Sequence, residues 1–208
     1  MSHVSTNRLI DWCVASRPIA GQTVSGDMHL VKPVGRGVLM AVVDGVGHGR
    51  EATLAAQTAV DVLEQNADEA LIPLVQRCHE ALLTTRGVVM TVAFLDTLSS
   101  SLTWLGVGNV EGRLFRGDPK SGPPSESVLL RGGMVGYKLP QLYVSVVPLR
   151  PGDLLVLVTD GIAASFDTDI YLGQSPGRIA DSILNRHFKR TDDALAFVAR
   201  YLGLQRGS

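Results

Sequence analysis

Two apolar runs in this chain end on the same dipeptide. AVVDGVGHGREA, residues 41–52, carries Asp44–Gly45, and LLVLVTDG, residues 154–161, carries Asp160–Gly161. Two more carboxylate positions stand in similarly punctuated settings. Asp27 follows Ser25–Gly26 at the start of an apolar run, and Asp192–Asp193 precedes ALAFV. Carboxylates gathered in one place repel one another, and such a group persists when cations neutralise it. Oxygen ligands without His or Cys select Mg2+ or Mn2+ over zinc. Two such ions about 3.5–4 Å apart can clamp a phosphoryl group and bring the pKa of a water near neutrality. The chemistry on offer is metal-assisted hydrolysis of a phosphate ester, provided the fold brings four distant segments together.

Each residue also has a plainer reading. An isolated Asp–Gly is a common hairpin turn. After Gly45, however, the chain runs into a helical pattern instead of a returning strand, which argues against a hairpin at Asp44. Asp27 alone suits a turn. Asp192 and Asp193 alone suit helix capping, because Ala194, Phe197, Val198, Tyr201 and Leu202 after them trace a helical face. Gly45, Gly47 and Gly49 lack the Gly-Lys-Ser/Thr of a nucleotide cradle. Their use is to let the chain turn tightly past a metal and aim a carbonyl at it.

The elements that must hold these residues are read from periodicity. Residues 9–16, 28–34 and 37–43 read as strands, the last apolar throughout and so buried on both faces. Residues 50–65 read as a helix, with Ala52, Ala55, Ala56, Ala59, Val62 and Leu63 on one face. A second helix is expected over 69–84. Strands follow at 88–96, 100–108 and 110–116, then a loop over 117–127, then strands at 127–132, 141–149 and 153–160. Two terminal helices are expected, one on Ile179, Ala180, Ile183, Leu184, His187 and Phe188, the other on Ala194 to Leu202. No repeat or domain boundary interrupts this order, so one domain over 1–208 is expected. The expected class is α+β, with two stacked antiparallel β-sheets forming a β-sandwich flanked by α-helices.

Composition narrows the function. In 208 residues, 19 basic side chains face 20 acidic ones, and no basic run suits nucleic acid or a membrane surface. No stretch approaches the roughly 20 apolar residues of a membrane span, and the N-terminus lacks a signal-peptide core, so a cytoplasmic protein is expected. Cys13 and Cys78 are far apart and in apolar surroundings, which argues against a disulfide, a zinc site or a cysteine nucleophile.

Taken in order, Ser-Gly-Asp27, Val-Asp44-Gly45 opening a glycine-rich turn, Thr-Asp160-Gly161 and Asp192-Asp193 resemble the metal-dependent serine/threonine protein phosphatases of the PPM (type 2C) class. The likeness runs from about residue 10 to 203 and is greatest to the bacterial stress-response branch, which acts on phosphorylated STAS-domain proteins in sigma-factor control. DGVGHG, GVGNVEG (106–112) and RGGMVGY (131–137) belong to that likeness.

The resemblance implies a dinuclear Mn2+ or Mg2+ site at one end of the sandwich. In it Asp44 would bridge both ions, the Gly45 carbonyl would hold one, and Asp160 and Asp192 the other. Asp27 would bind directly or through water, and Asp193 competes with Asp192 for its role. The resemblance further implies hydrolysis of phosphoserine or phosphothreonine on STAS-domain proteins of a stressosome, resetting a stress-signalling pathway, with no sensor domain. The alternative is a non-catalytic phosphoprotein-binding pseudo-phosphatase. Two departures stand out. Larger eukaryotic members place a histidine directly after the Asp–Gly pair, whereas here Val46 intervenes, so His48 suits a loop role better than proton donation. They also carry an arginine shortly before the first Asp, whereas here the upstream arginine is the distant Arg17.

Overall fold

The chain runs through β1 (Ile10–Arg17), β2 (Asp27–Val34) and β3 (Gly37–Gly45) into α1 (Arg50–Gln65) and α2 (Leu71–Ala81). β4 (Val88–Asp96), β5 (Ser101–Val107), β6 (Glu111–Phe115), β7 (Ser125–Ser127), β8 (Leu130–Arg131), β9 (Ser145–Pro148) and β10 (Leu154–Val158) follow. A 3-10 turn (Ala164–Asp169), α3 (Pro176–His187) and β11 (Ala194–Tyr201) complete it. The computed structural model describes residues 9–35, 37–118 and 123–204. The middle of the expected 117–127 loop lies outside the described residues.

The strands form two sheets, ordered β1-β11-β10-β6-β7 and β2-β3-β4-β5-β8, with β9 also paired to β5. Every strand pair is antiparallel except β5 with β8. The expected α+β sandwich is therefore what forms, and its apolar residues divide into three layers. Between the sheets lie Val38, Met40, Val42, Leu95, Trp104, Leu157 and Phe197. Leu39, Ala41 and Val43 point the other way, onto α1 and α2. On the far side, Val156, Val158, Ala196 and Val198 pack under Ile179, Ala180 and Ile183 of α3. β3 reads as a continuous apolar run because alternate residues serve two different layers.

Helix α1 begins and packs as its sequence requires. Ala52, Ala55, Ala56 and Ala59 are fully buried, and these small side chains bring the helix backbone against the sheet. Cys78 on α2 is buried as well, and burial pushes its thiol up to about 12. Ser175 caps α3 by accepting from Arg178 N–H, with Pro176 in the first turn.

Several expected elements are corrected. Residues 194–201 form a strand, not a helix, and β11 lies centrally between β1 and β10. Its Ala194–Ala199 stretch is buried throughout, and a short continuous apolar run satisfies helical and extended templates equally. Helix capping therefore falls away as a role for Asp192 and Asp193. The strand expected over 127–132 is two short pieces on different sheets, and only 145–148 of the segment 141–149 is extended.

Candidate metal centre

Strand register decides where the carboxylates go. Asp27 opens β2 and Asp44 nearly closes β3, and in the antiparallel ladder they stand directly opposite each other. Asp160 follows β10, and Asp192 and Asp193 precede β11, at the corresponding end of the other sheet, where Val158 pairs with Ala196. Both sheets thus deliver carboxylates to one end of the sandwich.

Their electrostatics show the convergence. Burial first, and then the charges of Asp27, Asp160, Asp192 and Asp193, push Asp44 up to about 9. Asp27 rises to about 7, again chiefly through burial, against the lowering effect of a hydrogen bond from Thr159. Asp160 is raised by burial and by Asp192, while Lys189 and Asn109 pull it down. Such displacements arise where like charges share a site from which water is partly excluded.

Asp192 and Asp193 differ sharply. Asp193 is buried, and its two oxygens accept Ile19 N–H at 2.7 Å and Gly26 N–H at 2.6 Å. It fastens the β1–β2 connection and so holds Asp27 at its strand start. Asp192 is half-buried, and among the described residues its Oδ1 accepts only the N–H of Asp193, at 2.8 Å. Of the two, Asp192 keeps oxygen capacity for another partner.

The glycines act by their lack of bulk. A Cβ on Gly45 would stand 2.1 Å from the Ala52 carbonyl of α1, so no side chain fits there. Gly47 and Gly49 adopt φ of 91° and 75°, which turns the chain sharply into the helix. Gly45 N–H also donates to Gly26 O at 3.1 Å, joining the Asp44 end to the Asp27 end.

The donor set suits hard divalent cations. Asp27 Oδ1 is buried and has no hydrogen-bond partner among the described residues, an arrangement that normally carries a cost unless something else satisfies the atom. Among the described residues no three His, Cys, Asp or Glu side chains group tightly enough to hold one ion between them. Mg2+ characteristically keeps several waters and takes one or two carboxylates, so a spread oxygen set fits it. Two residues weighed from the sequence stand apart. Arg17 turns to α3, bonding Asn185 Oδ1 at 3.3 Å and lying over the Phe188 ring. His48 is exposed on the glycine turn and has no side-chain hydrogen bond among the described residues.

Three other residues escaped sequence reasoning. Thr159 donates to Asp27 Oδ2 at 2.8 Å, Asn109 to Asp160 Oδ2 at 2.8 Å, and Lys189 to the Asp160 carbonyl at 2.7 Å. Thr159 precedes an Asp–Gly, and Asn109 sits in a Gly–Asn turn. Those were the only signals available, and both are weak.

Residues 35–202 match the family described as Stage II sporulation protein E (SpoIIE). The chain belongs to the SpoIIE family. Over 195 residues it is 26% identical to the phosphoserine phosphatase RsbX of Bacillus subtilis (strain 168), covering 93% of this chain and 96% of RsbX. A chain from a structure of the bacterial stressosome, described as a modular system adapted to control secondary messenger signalling, is 28% identical with a TM-score of 0.83. That match covers 92% of this chain and 99% of the other. A crystal structure of RsbX in complex with magnesium shares the fold with a TM-score of 0.83 at 23% identity, over 95% and 97% of the two chains. This SpoIIE-family chain is a protein phosphatase of PP2C fold, in a metal-dependent class. No helix among its described residues is long and apolar enough to cross a membrane.

Proposed function

We propose that this SpoIIE-family phosphatase removes phosphate from phosphoserine or phosphothreonine on STAS-domain proteins of a stressosome, in the cytoplasm, and so resets a stress-signalling pathway. The observation that carries the reading is the delivery of Asp27, Asp44, Asp160 and Asp192 by both sheets to one end of the sandwich, where burial raises each of the first three and the charge of at least one neighbouring acid adds to it. The likeness to RsbX and to a stressosome chain supports the substrate class.

Two Mn2+ or Mg2+ ions are proposed here, and Asp27, Asp44, Asp160, Asp192 and the Gly45 carbonyl are the groups that would hold them, directly or through water. Ions so placed would supply positive charge to the phosphoryl oxygens and lower the pKa of a water towards neutrality. The chain's own contribution is preorganisation. Thr159 and the N–H groups on Asp193 fix where the Asp27 carboxylate stands, and the packing of Gly45 on Ala52 fixes Asp44. Asp193 is proposed as a structural member of the cluster and not a ligand, since backbone N–H groups occupy both of its oxygens. No Cys nucleophile stands at the site, since Cys13 packs beside Gly177 of α3 and Cys78 lies in the apolar layer under α1 and α2. A direct hydrolysis without phosphoenzyme is therefore the route proposed.

The test is incubation of the protein with Mn2+ and a phosphorylated STAS-domain protein, with phosphate loss followed by mass spectrometry. Turnover well beyond one equivalent is expected. Retention of phosphate with tight association would mark a non-catalytic binder instead.

A further inference from the structure

Asp160 is held by two residues outside the carboxylate set. Asn109, in the turn between β5 and β6, donates from Nδ2 to Asp160 Oδ2 at 2.8 Å. An ionised carboxylate only accepts, so the orientation of the amide follows. Lys189, just past α3, donates from Nζ to the Asp160 carbonyl at 2.7 Å and from its backbone N–H to the Gly161 carbonyl at 2.9 Å. One lysine thus closes on both carbonyls of the Asp160–Gly161 turn. From the opposite side the turn is wedged, for a Cβ on Gly161 would stand 1.9 Å from the Asp193 carbonyl.

Lys189 and Asp192 belong to one short segment. Between them Arg190 adopts φ of 65°, the left-handed region that non-glycine residues rarely enter. A residue stays there when contacts on either side over-determine its backbone. Here Lys189 is fixed to the Asp160 turn on one side, and Asp193 is fixed to Ile19 and Gly26 on the other.

We propose that Asn109 and Lys189 are positioning residues that lock Asp160 to the Asp192 segment before a divalent cation arrives, and so set the affinity of the site for that cation. The inference rests on the metal-phosphatase reading given above. Asn109 engages one oxygen of Asp160 and, among the described residues, the other accepts no hydrogen bond. Lys189 ties the turn that carries Asp160 to the stretch that carries Asp192. A cation that demands near-octahedral geometry and keeps several waters meets only a few protein oxygens, and each must stand in the right place. Its affinity then depends on how little the carboxylates must rearrange to meet it, and residues that orient metal ligands in this way are worth about 10- to 100-fold in metal affinity.

The test is Mn2+ titration of the full chain, with free Mn2+ read by its electron paramagnetic resonance signal, alongside turnover of a phosphoprotein across Mn2+ concentrations. Lys189→Met and Asn109→Ala should each weaken Mn2+ binding by about 10- to 100-fold. The Mn2+ concentration for half-maximal turnover should shift in parallel. Lys189→Arg, which restores a donor, should recover most of the loss. Should Lys189→Met fail to fold, Lys189→Gln takes its place. Binding curves of Asn109→Ala and of the Lys189→Met or Lys189→Gln variant that superimpose on the parent's overturn the inference. Asp160→Asn separates the two layers of argument. If it also leaves binding unchanged, the metal assignment of Asp160 falls and the inference with it. If it weakens binding while the Asn109 and Lys189 variants do not, the inference alone falls.

Discussion

Thr159 and Asp27 meet across the gap between the two sheets. The Thr159 hydroxyl, at the end of β10, donates to Asp27 Oδ2 at 2.8 Å and accepts the Leu195 N–H of β11 at 2.9 Å. It is buried and fully used, and it links the carboxylates that each sheet carries. Thr159→Val keeps the shape but leaves the Leu195 N–H without its acceptor and Asp27 without its donor. Denaturant unfolding should show a loss of about 1–3 kcal/mol, and a stability equal to the parent's would remove Thr159 as a structural link.

Asp192 and Asp193 should separate cleanly by variant. Asp193→Ala strips the acceptor from two backbone N–H groups, at a cost of about 1–3 kcal/mol for each group left unsatisfied. Its melting temperature should fall even in EDTA. Asp192→Ala should melt near the parent in EDTA yet lose stabilisation by Mn2+. The reverse pattern would exchange their roles.

Asp44→Asn should abolish phosphate release while the fold persists. The loss in kcat should exceed the roughly 10²- to 10³-fold that removal of one preorganised electrostatic donor costs. In EDTA near neutral pH the folded chain must hold a proton on Asp44 that the unfolded chain has released, and the variant removes that requirement, so its melting temperature should rise. Full activity in this variant would displace Asp44 from the centre of the site.

Stability should depend on pH in a direction opposite to that of most carboxylates. Asp27 and Asp44 titrate at about 7 and about 9 in the fold, against 3.8 ordinarily. The folded chain therefore holds protons that the unfolded chain has released, and stability falls as pH rises through that range. Below about 6.5 the burial of His29 acts in the opposite sense, so the window to read is from about pH 7 to 9. Thermal melts in EDTA should decline across it by up to about 1.4 kcal/mol per pH unit for each proton retained. Excess Mn2+ should flatten the decline by taking the protons' place, and a rise in melting temperature across this window in EDTA would contradict the account.

Gly45→Ala should fail for a steric reason. The added methyl would sit 2.1 Å from a helix carbonyl, so α1 or β3 must move. Loss of activity together with a lowered melting temperature is expected, and a variant with the parent's activity would show that the contact can relax.

Much of this molecule was legible in its sequence because the signals were local. The four alanines of α1 repeat at helical spacing, and β3 is apolar at every residue from Val38 to Val43 because helices cover one face and the opposing sheet the other. Asp44 and Asp160 were visible as carboxylates at strand ends, and the order of the Asp-bearing segments was enough to suggest the phosphatase class. Residues 194–201 were misread because a buried run without polar punctuation carries no period.

Only the tertiary structure decided which acids meet and what each does there. Asp192 and Asp193 are neighbours with the same chemistry, and the N–H groups of Ile19 and Gly26 that distinguish them are remote in sequence. Thr159, Asn109 and Lys189 likewise gained their roles from strand register, which brings distant turns within hydrogen-bond range. The chain by itself determined the elements and the chemical type of the site, since periodicity and side-chain identity are local properties. The partners of each carboxylate depend on long-range packing, and no local pattern encodes them.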